Sequence, residues 1–327
     1  MRKMMKRLAV LVPLLCLMVC AAAQAEWSEL FGDAYAQQFQ LSSLKDQIVT
    51  CYAMDGHTVY GMTAKGAVYT YDCETAAYAL FTQLPAQPDI DFEKKPSEAT
   101  KQAMGEAVSY LLFDENHELY GFNSTTGLLG KVDANGIQWQ DTAVDTSVFY
   151  NPGGYYPEIS FCQPQIIGDR LEGWIVPDID GTSCTWVSLS LTDGSCTATE
   201  IPGAFQLCRY RDDTLLALVL TKDKTMALNV YDRSGACVRS YEGALPALQA
   251  GDAATVFDLQ SIAGALAYDA ASGTVYLMDE SHLYVSRDGG AFEALEGTTP
   301  WLPPMNYSRL QLGDNDTVLV NGQWLWQ

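Results

Sequence analysis

The chain has 327 residues, 48% hydrophobic and 18% charged, with 40 acidic against 19 basic side chains and a net charge of −21. That composition suits a folded globular protein and not an acidic disordered tail. So negative a surface repels phosphate backbones and anionic headgroups, which excludes nucleic acid and membrane surfaces as partners.

The amino terminus carries an address. Arg2, Lys3, Lys6 and Arg7 form a basic start, residues 8–20 are an apolar run, and Ala23-Gln24-Ala25 places small residues before Glu26. This is the layout of a secretory signal peptide over residues 1–25, cleaved after Ala25. A membrane anchor is the competing reading, but the run is shorter than the ~20 apolar residues of a spanning helix, and polar sequence follows at once. Lipid attachment at Cys20 is disfavoured by Val19, where a small residue is usual. Loss of the four cations leaves 15 basic against 40 acidic residues, a charge near −25. The mature chain is therefore expected outside the cytoplasmic membrane, secreted or at the cell surface, with no membrane insertion after cleavage.

Residues 26–327 read as one domain: a closing segment over 26–47, then blades over 48–327. In the closing segment, AYAQQFQLSS at 34–43 is the expected strand. From Ile48 onward, apolar and polar residues alternate over short stretches cut by turn residues, as in half-buried antiparallel strands. IVTCYAM turns at Asp55-Gly56 into TVYGMT, which turns at Lys65-Gly66 into AVYTYD. The phrase returns as SYLLFD with HELYGFN and LLGKVD, as QIIGDRLEGWIV with TWVSLSL, and as LCRYRDDTLLALVL with MALNVYD. ALAYDAASGTVYLMD with HLYVSRD, and RLQLGDNDTVLV with QWLWQ, bring the copies to six. Asp55, Asp114, Asp169, Asp212, Asp269 and Asp314 mark the first turn of each, at intervals of 59, 55, 43, 57 and 45 residues. The shorter intervals match the roughly 40–50 residues of a four-stranded propeller blade, and the longer ones imply inserted loops.

Asp- and Gly-bearing turns at 133–136, 193–194, 232–235 and 288–290 introduce a fourth strand, because these residues tolerate positive φ. The sixth copy reaches Gln327 without one, so a strand from the amino terminus is expected to complete that blade and hide two sheet edges. The expected fold is an all-β propeller of about six four-stranded blades. A pair of β-sandwiches also has short strands and frequent turns, but six phrases in one order are less natural there.

The mature chain keeps Cys51, Cys73, Cys162, Cys184, Cys196, Cys208 and Cys237, an odd number without a Cys-x-x-Cys pair. Thiols buried as small apolar residues are the expectation. His57, His117 and His282 stand apart from one another, so no zinc site is expected.

GAVYTYDCET, ELYGFNSTTG and VYDRSG resemble the blades of secreted bacterial β-propeller repeat proteins of the PQQ-like or YVTN-like type, over most of residues 48–327. The resemblance implies architecture and carries no cofactor-binding residue onto this chain. Similar propellers also occur as parts of longer exported proteins, including some joined to solute-binding domains.

In such a ring, the second-hairpin loops and the connections between blades share one rim. Its long connections here are 84–106, 141–158, 246–260 and 297–307, and long Pro- and Gly-rich loops in a compact fold are often functional. In the first, Ser97 is placed to cap a short helix running to Val108. Two others hold aromatics in polar company: Phe149, Tyr150, Tyr155 and Tyr156 with Glu158, and Trp301 with Tyr307. Such faces stack on sugar rings or anchor protein partners. Tyr150, Tyr155, Tyr156, Glu158, Trp301 and Tyr307 are the candidate ligand-binding residues; local packing beneath the loops is the competing role for each.

No catalytic residue stands out. Many carboxylate pairs are conceivable, but nothing selects one for glycoside cleavage. The segments 178–181 and 314–316 resemble fragments of calcium loops without the remaining ligands, so turn chemistry is favoured and calcium stays open. SRDGGAF at 286–292 is similar to the Asp-box hairpin of sialidase-like propellers, which is a folding element. No cofactor is expected. The sequence thus points to a noncatalytic, extracytoplasmic propeller that binds a carbohydrate or a protein partner at the cell surface through its loop-rich rim. The alternatives are a propeller-based carbohydrate-active enzyme and a segment of a larger exported solute-binding or sensor assembly.

Overall fold

The computed structural model describes residues 27–90, 94–149, 161–177, 183–246, 248, 259, 263–279, 282–295, 310–314 and 316–326. Within them, the repeated phrases form six antiparallel sheets of four strands, a six-bladed β-propeller. Blade 1 is β2 (Val49–Asp55), β3 (Thr58–Thr63), β4 (Ala67–Asp72) and β5 (Ala77–Gln83); blade 2 is β6 (Tyr110–Phe113), β7 (Leu119–Phe122), β8 (Leu128–Asp133) and β9 (Gly136–Ala143). Blade 3 is β10 (Phe161–Ile167), β11 (Arg170–Ile175), β12 (Ser183–Ser190) and β13 (Cys196–Pro202); blade 4 is β14 (Ala204–Arg209), β15 (Leu215–Leu220), β16 (Met226–Tyr231) and β17 (Cys237–Ser240). Blade 5 is β18 (Ala263–Asp269), β19 (Thr274–Asp279), β20 (Leu283–Arg287) and β21 (Glu293–Ala294). Blade 6 joins β22 (Leu310–Leu312), β23 (Val318–Val320) and β24 (Trp324–Trp326) to β1 (Trp27–Glu29) from the other end of the chain.

First strands touch in five of the six successive pairs of blades, and β14 meets β11 and β12 of blade 3, which places the first strands around the axis. Burial follows from that geometry. Each sheet is covered on both faces by its neighbours, so a strand near the axis reads as a continuous apolar run. In β15, LLALVL, five of the six residues are buried, whereas every residue of the outer strand β17 is exposed. Between blades 3, 4 and 5, the core includes Trp174, Trp186, Phe205, Leu216 and Leu266. Each fully buried large side chain of this kind contributes about 1.5–3 kcal/mol. Cys162, Cys184 and Cys208 sit in this core as small apolar residues, and burial pushes the Cys184 and Cys208 thiols up.

Much of the acidic surface makes turns. Asp114 Oδ1 accepts the amides of Asn116 (3.0 Å) and Glu118 (2.8 Å), and Asp269 Oδ1 accepts that of Ala271 (2.9 Å). Asp133, Asp193 and Asp232 do the same for the third hairpin of their blades. These bonds stabilise the charged form; the Ser195 amide and hydroxyl hold Asp193 down at about 2.

The closing strand differs from the expected one. Residues 34–43 contain a helix, α1 (Asp33–Gln38), and Trp27–Glu29 forms the outer strand of blade 6, with Trp27 opposite Trp326. Tyr35 and Phe39 are four residues apart, the spacing of one helical face, and Ala and Gln between them favour a helix. Tyr35 is fully buried against Phe31, Phe39, Tyr69 and Tyr78. The segment therefore plugs the side of blade 1 instead of pairing with blade 6. A second short helix, α2 (Leu44–Gln47), follows. In the first long connection, α3 (Glu98–Glu106) forms as expected, with the Ser97 hydroxyl accepting the Thr100 amide at 3.1 Å.

Candidate functional site

The six first strands surround a recess of about 770 Å³. Its wall includes the first-turn residues Asp114, Glu115, Arg211, Asp212, Asp213 and Ala270, so it reaches the first-turn end of the ring. That is the end opposite the rim formed by second hairpins and blade connections.

A first strand has an axial edge without a ladder partner, and its backbone groups need other bonds. Glutamine amides supply several of them. Gln163 Nε2 donates to the Leu266 carbonyl at 2.7 Å, a bond from blade 3 to blade 5. Gln163 itself has φ of 47°, where the β10–β11 ladder slips between Cys162 and Gln165. Gln206 Nε2 reaches the carbonyls of Ala263 (3.1 Å) and Gly264 (3.0 Å), and Gln311 Nε2 that of Tyr52 (3.3 Å). On the opposite wall, Tyr110 OH accepts the Phe161 amide at 2.9 Å and ties blade 2 to blade 3.

Charge gathers where blades 3 and 4 meet the recess. Arg233 donates from Nη2 to Glu172 Oε2 (2.9 Å) and Asp213 Oδ1 (2.6 Å), and its guanidinium lies 5.3 Å from the Trp186 ring. Glu172 is buried, and its other oxygen accepts the Ser188 hydroxyl at 2.8 Å. Arg209 lies 3.6 Å from Asp213. The bond from Arg233 holds Asp213 below its ordinary value. Burial works against ionisation of Asp114, but the backbone amides of Glu118 and Asn116 outweigh it and hold that carboxyl low as well.

Arg211 is placed differently. Its Nε donates to Tyr268 OH at 2.7 Å and Nη2 to the Gly273 carbonyl at 3.4 Å, and the guanidinium carbon lies 5.7 Å from the Tyr210 ring centre and 5.8 Å from that of Tyr268. Gly273 has φ of 72°, and a Cβ there would stand 2.8 Å from Arg211 Nη2. A bare backbone lets the guanidinium lie against this turn.

Two of the three histidines lie in contacts between blades, while His282 sits 3.7 Å from Asp279 of its own blade. His117 Nδ1 is 2.6 Å from Asp55 Oδ1, joining the first turns of blades 1 and 2, while His57 Nε2 is 3.6 Å from Glu74 and 3.7 Å from Asp314 of blade 6. Asp314 and Asp316 take separate partners, since Tyr276 OH donates to Asp316 at 3.1 Å. Among the described residues, no group of three His, Cys, Asp or Glu side chains is arranged to hold a metal ion. The segment 178–181 lies wholly outside the described residues.

Tyr150, Tyr155, Tyr156, Glu158, Trp301 and Tyr307 all lie outside the described residues. Their neighbour Phe149 is buried against Phe122 and Phe161 and belongs to the core. The recess residues Gln163, Gln165, Arg209, Arg211 and Asp213 were not singled out from the sequence. The signal for the last three is RYRDD at 209–213, two arginines within a first turn of an otherwise acidic chain.

No protein-family model matches the chain, and no curated protein matches it in sequence. Several solved propellers are similar in fold. Virginiamycin B lyase from Staphylococcus aureus is 9% identical, with a TM-score of 0.47 over 92% of this chain and 97% of that one. The gluconolactonase XC5397 from Xanthomonas campestris is 11% identical, with a TM-score of 0.45 over 82% and 81%. PorZ, a surface component of the type-IX secretion system of Porphyromonas gingivalis, is 13% identical, with a TM-score of 0.43 over 90% of this chain and 34% of that one.

Proposed function

We propose that this chain is an exported, noncatalytic propeller that holds a ligand, a carbohydrate or the tip of a protein partner, at one end of its axis. The observation that carries the reading is the central recess. Its volume of about 770 Å³ falls within the roughly 300–1,000 Å³ of small-molecule sites. Its wall combines tyrosine faces, amides and arginines. Cleavage of a glycosidic bond needs one carboxylic acid that keeps its proton near neutral pH. Asp114 and Asp213 are instead held as carboxylates. Export rests on the signal-like residues 1–25. The aromatic, Pro- and Gly-rich loops support a second reading, in which Tyr150, Tyr155, Tyr156, Glu158, Trp301 and Tyr307 bind at the opposite rim.

A glycan array and a pull-down with residues 26–327 separate the two. Ala270 is exposed in the first turn of blade 5 and lines the recess, so Ala270→Trp should fill the mouth with little effect on folding. Binding lost in that variant and kept in Tyr155→Ala/Trp301→Ala supports the recess. The reverse result moves the site to the rim, and equal binding by all three proteins removes both.

A further inference from the structure

Resting on the recess reading, we propose that the ligand is a sugar carrying a single carboxylate, of uronic-acid size, with Arg211 receiving the carboxylate. Of the two arginines on the recess wall, Arg209 is already matched by Asp213 at 3.6 Å. Among the described residues Arg211 bonds to neutral oxygens, those of Tyr268 and Gly273, and the Asp288 carboxylate beside the Gly273 turn acts on it through its charge without a direct ion pair. In a chain with 40 acidic residues, a cation at the mouth of the recess that forms no ion pair among the described residues is available to an outside anion. Two tyrosine rings and the Tyr268 hydroxyl fix its plane beforehand, and a planar fork held in place suits a carboxylate better than a mobile ammonium.

The rest of the wall fits hydroxyls. Gln165 is an exposed amide on β10, paired directly with Glu172, so its side chain shares the blade-3 face that looks toward blade 4 and Arg211. Glu115 and Asp212 are exposed acceptors on the same wall. Tyr268 is half-buried, with its ring against Tyr210 and the Arg211 guanidinium, and adds an aromatic surface to this wall. The same acids limit the ligand's charge. Asp114, Glu115, Asp212 and Asp213 oppose each negative charge beyond the one that Arg211 neutralises, so a single uronate is accepted and a polyuronate is not.

Calorimetric titration of residues 26–327 with D-glucuronate, D-glucose, acetate, polygalacturonate and glycylglycine tests this. D-glucuronate should bind, with glucose weaker by about tenfold or more because it lacks the charge-assisted pair, and acetate weaker by a similar factor because it lacks the ring and hydroxyls that meet the rest of the wall. Polygalacturonate should give no stronger signal per site than glucuronate. Arg211→Ala should abolish the glucuronate heat and Tyr268→Phe should weaken it several-fold, with thermal melting as the folding control. Should Arg211→Ala not fold, Arg211→Lys keeps charge and stem, loses the fork, and should show the same loss. Silence toward glucuronate, equal affinity for glucose, or tighter binding of glycylglycine overturns the proposal. If glucuronate is silent while Ala270→Trp still abolishes capture of another ligand, the recess stands and only the uronate assignment falls.

Discussion

Replacing Arg233 by alanine removes the cation from the seam between blades 3 and 4 and leaves Glu172 behind. The Glu172 side chain is only 7% exposed, and after the substitution its oxygens keep the Ser188 hydroxyl at 2.8 Å and Arg170 Nε at 3.9 Å. Removing one member of a buried pair costs about 3–5 kcal/mol, because the remaining charge is stranded away from water. The Arg233 side chain is 27% exposed, so water refills part of its space and the lower end, about 3 kcal/mol, applies. For a domain of this size that corresponds to a fall of about 5 °C in Tm. Adding Glu172→Gln removes the stranded charge and should recover roughly half of the loss. Scanning calorimetry of the parent, the single variant and the double variant at pH 7 reads both effects. A single variant melting within about 1 °C of the parent, or a double variant less stable than the single, would refute the account of this seam as a charge-paired clamp.

The contact between His117 and Asp55 should weaken with rising pH. The Asp55 hydrogen bond and charge raise the His117 pKa, so its contribution is complete below the unfolded value of about 6.5 and is lost as pH rises through the folded one. The stability difference between the parent and His117→Ala should therefore be larger at pH 5.5 than at pH 9; a constant difference contradicts the assignment. Asp193 should titrate near 2 by NMR, and Ser195→Ala should move it part of the way upward, since of the two groups that hold it down the substitution removes the hydroxyl and keeps the amide; its turn then contributes at pH above about 4 and loses that contribution as pH falls toward 2. Trp27→Ala removes the ring that packs 5.4 Å from Trp326 and should cost on the order of 2 kcal/mol, seen as earlier loss of tryptophan fluorescence in urea.

Much of the fold was legible because the repeat is written in turn chemistry. Asp55, Asp114, Asp169, Asp212, Asp269 and Asp314 each fall at the first turn of a blade, where a short carboxylate can bond the backbone ahead of it. The Asp-box-like segment also lies where its pattern suggests, between β20 and β21, with the Ser286 hydroxyl donating to the Gly290 carbonyl at 2.5 Å. The closing strand was less legible. Three residues of β1 are too few for alternation to stand out, and AYAQQFQLSS suits a strand until Tyr35 and Phe39 are counted at helical spacing. The recess residues escaped for another reason. Gln163, Arg211, Tyr268 and Gln311 stand on four different blades, and each looks ordinary within its own strand or turn. Their meeting is a property of the ring, which brings together positions far apart in the chain.

The union of β1 with β24 has a mechanical consequence. Glu29 accepts a bond from Gln323 at 3.1 Å across 294 residues of chain, and the two strands run antiparallel with Trp27 beside Trp326. Residues 27 and 326 thus sit side by side at one end of blade 6. A pull applied between residues 27 and 326 would part the short ladder one bond at a time, like a zip, before it loaded any other blade.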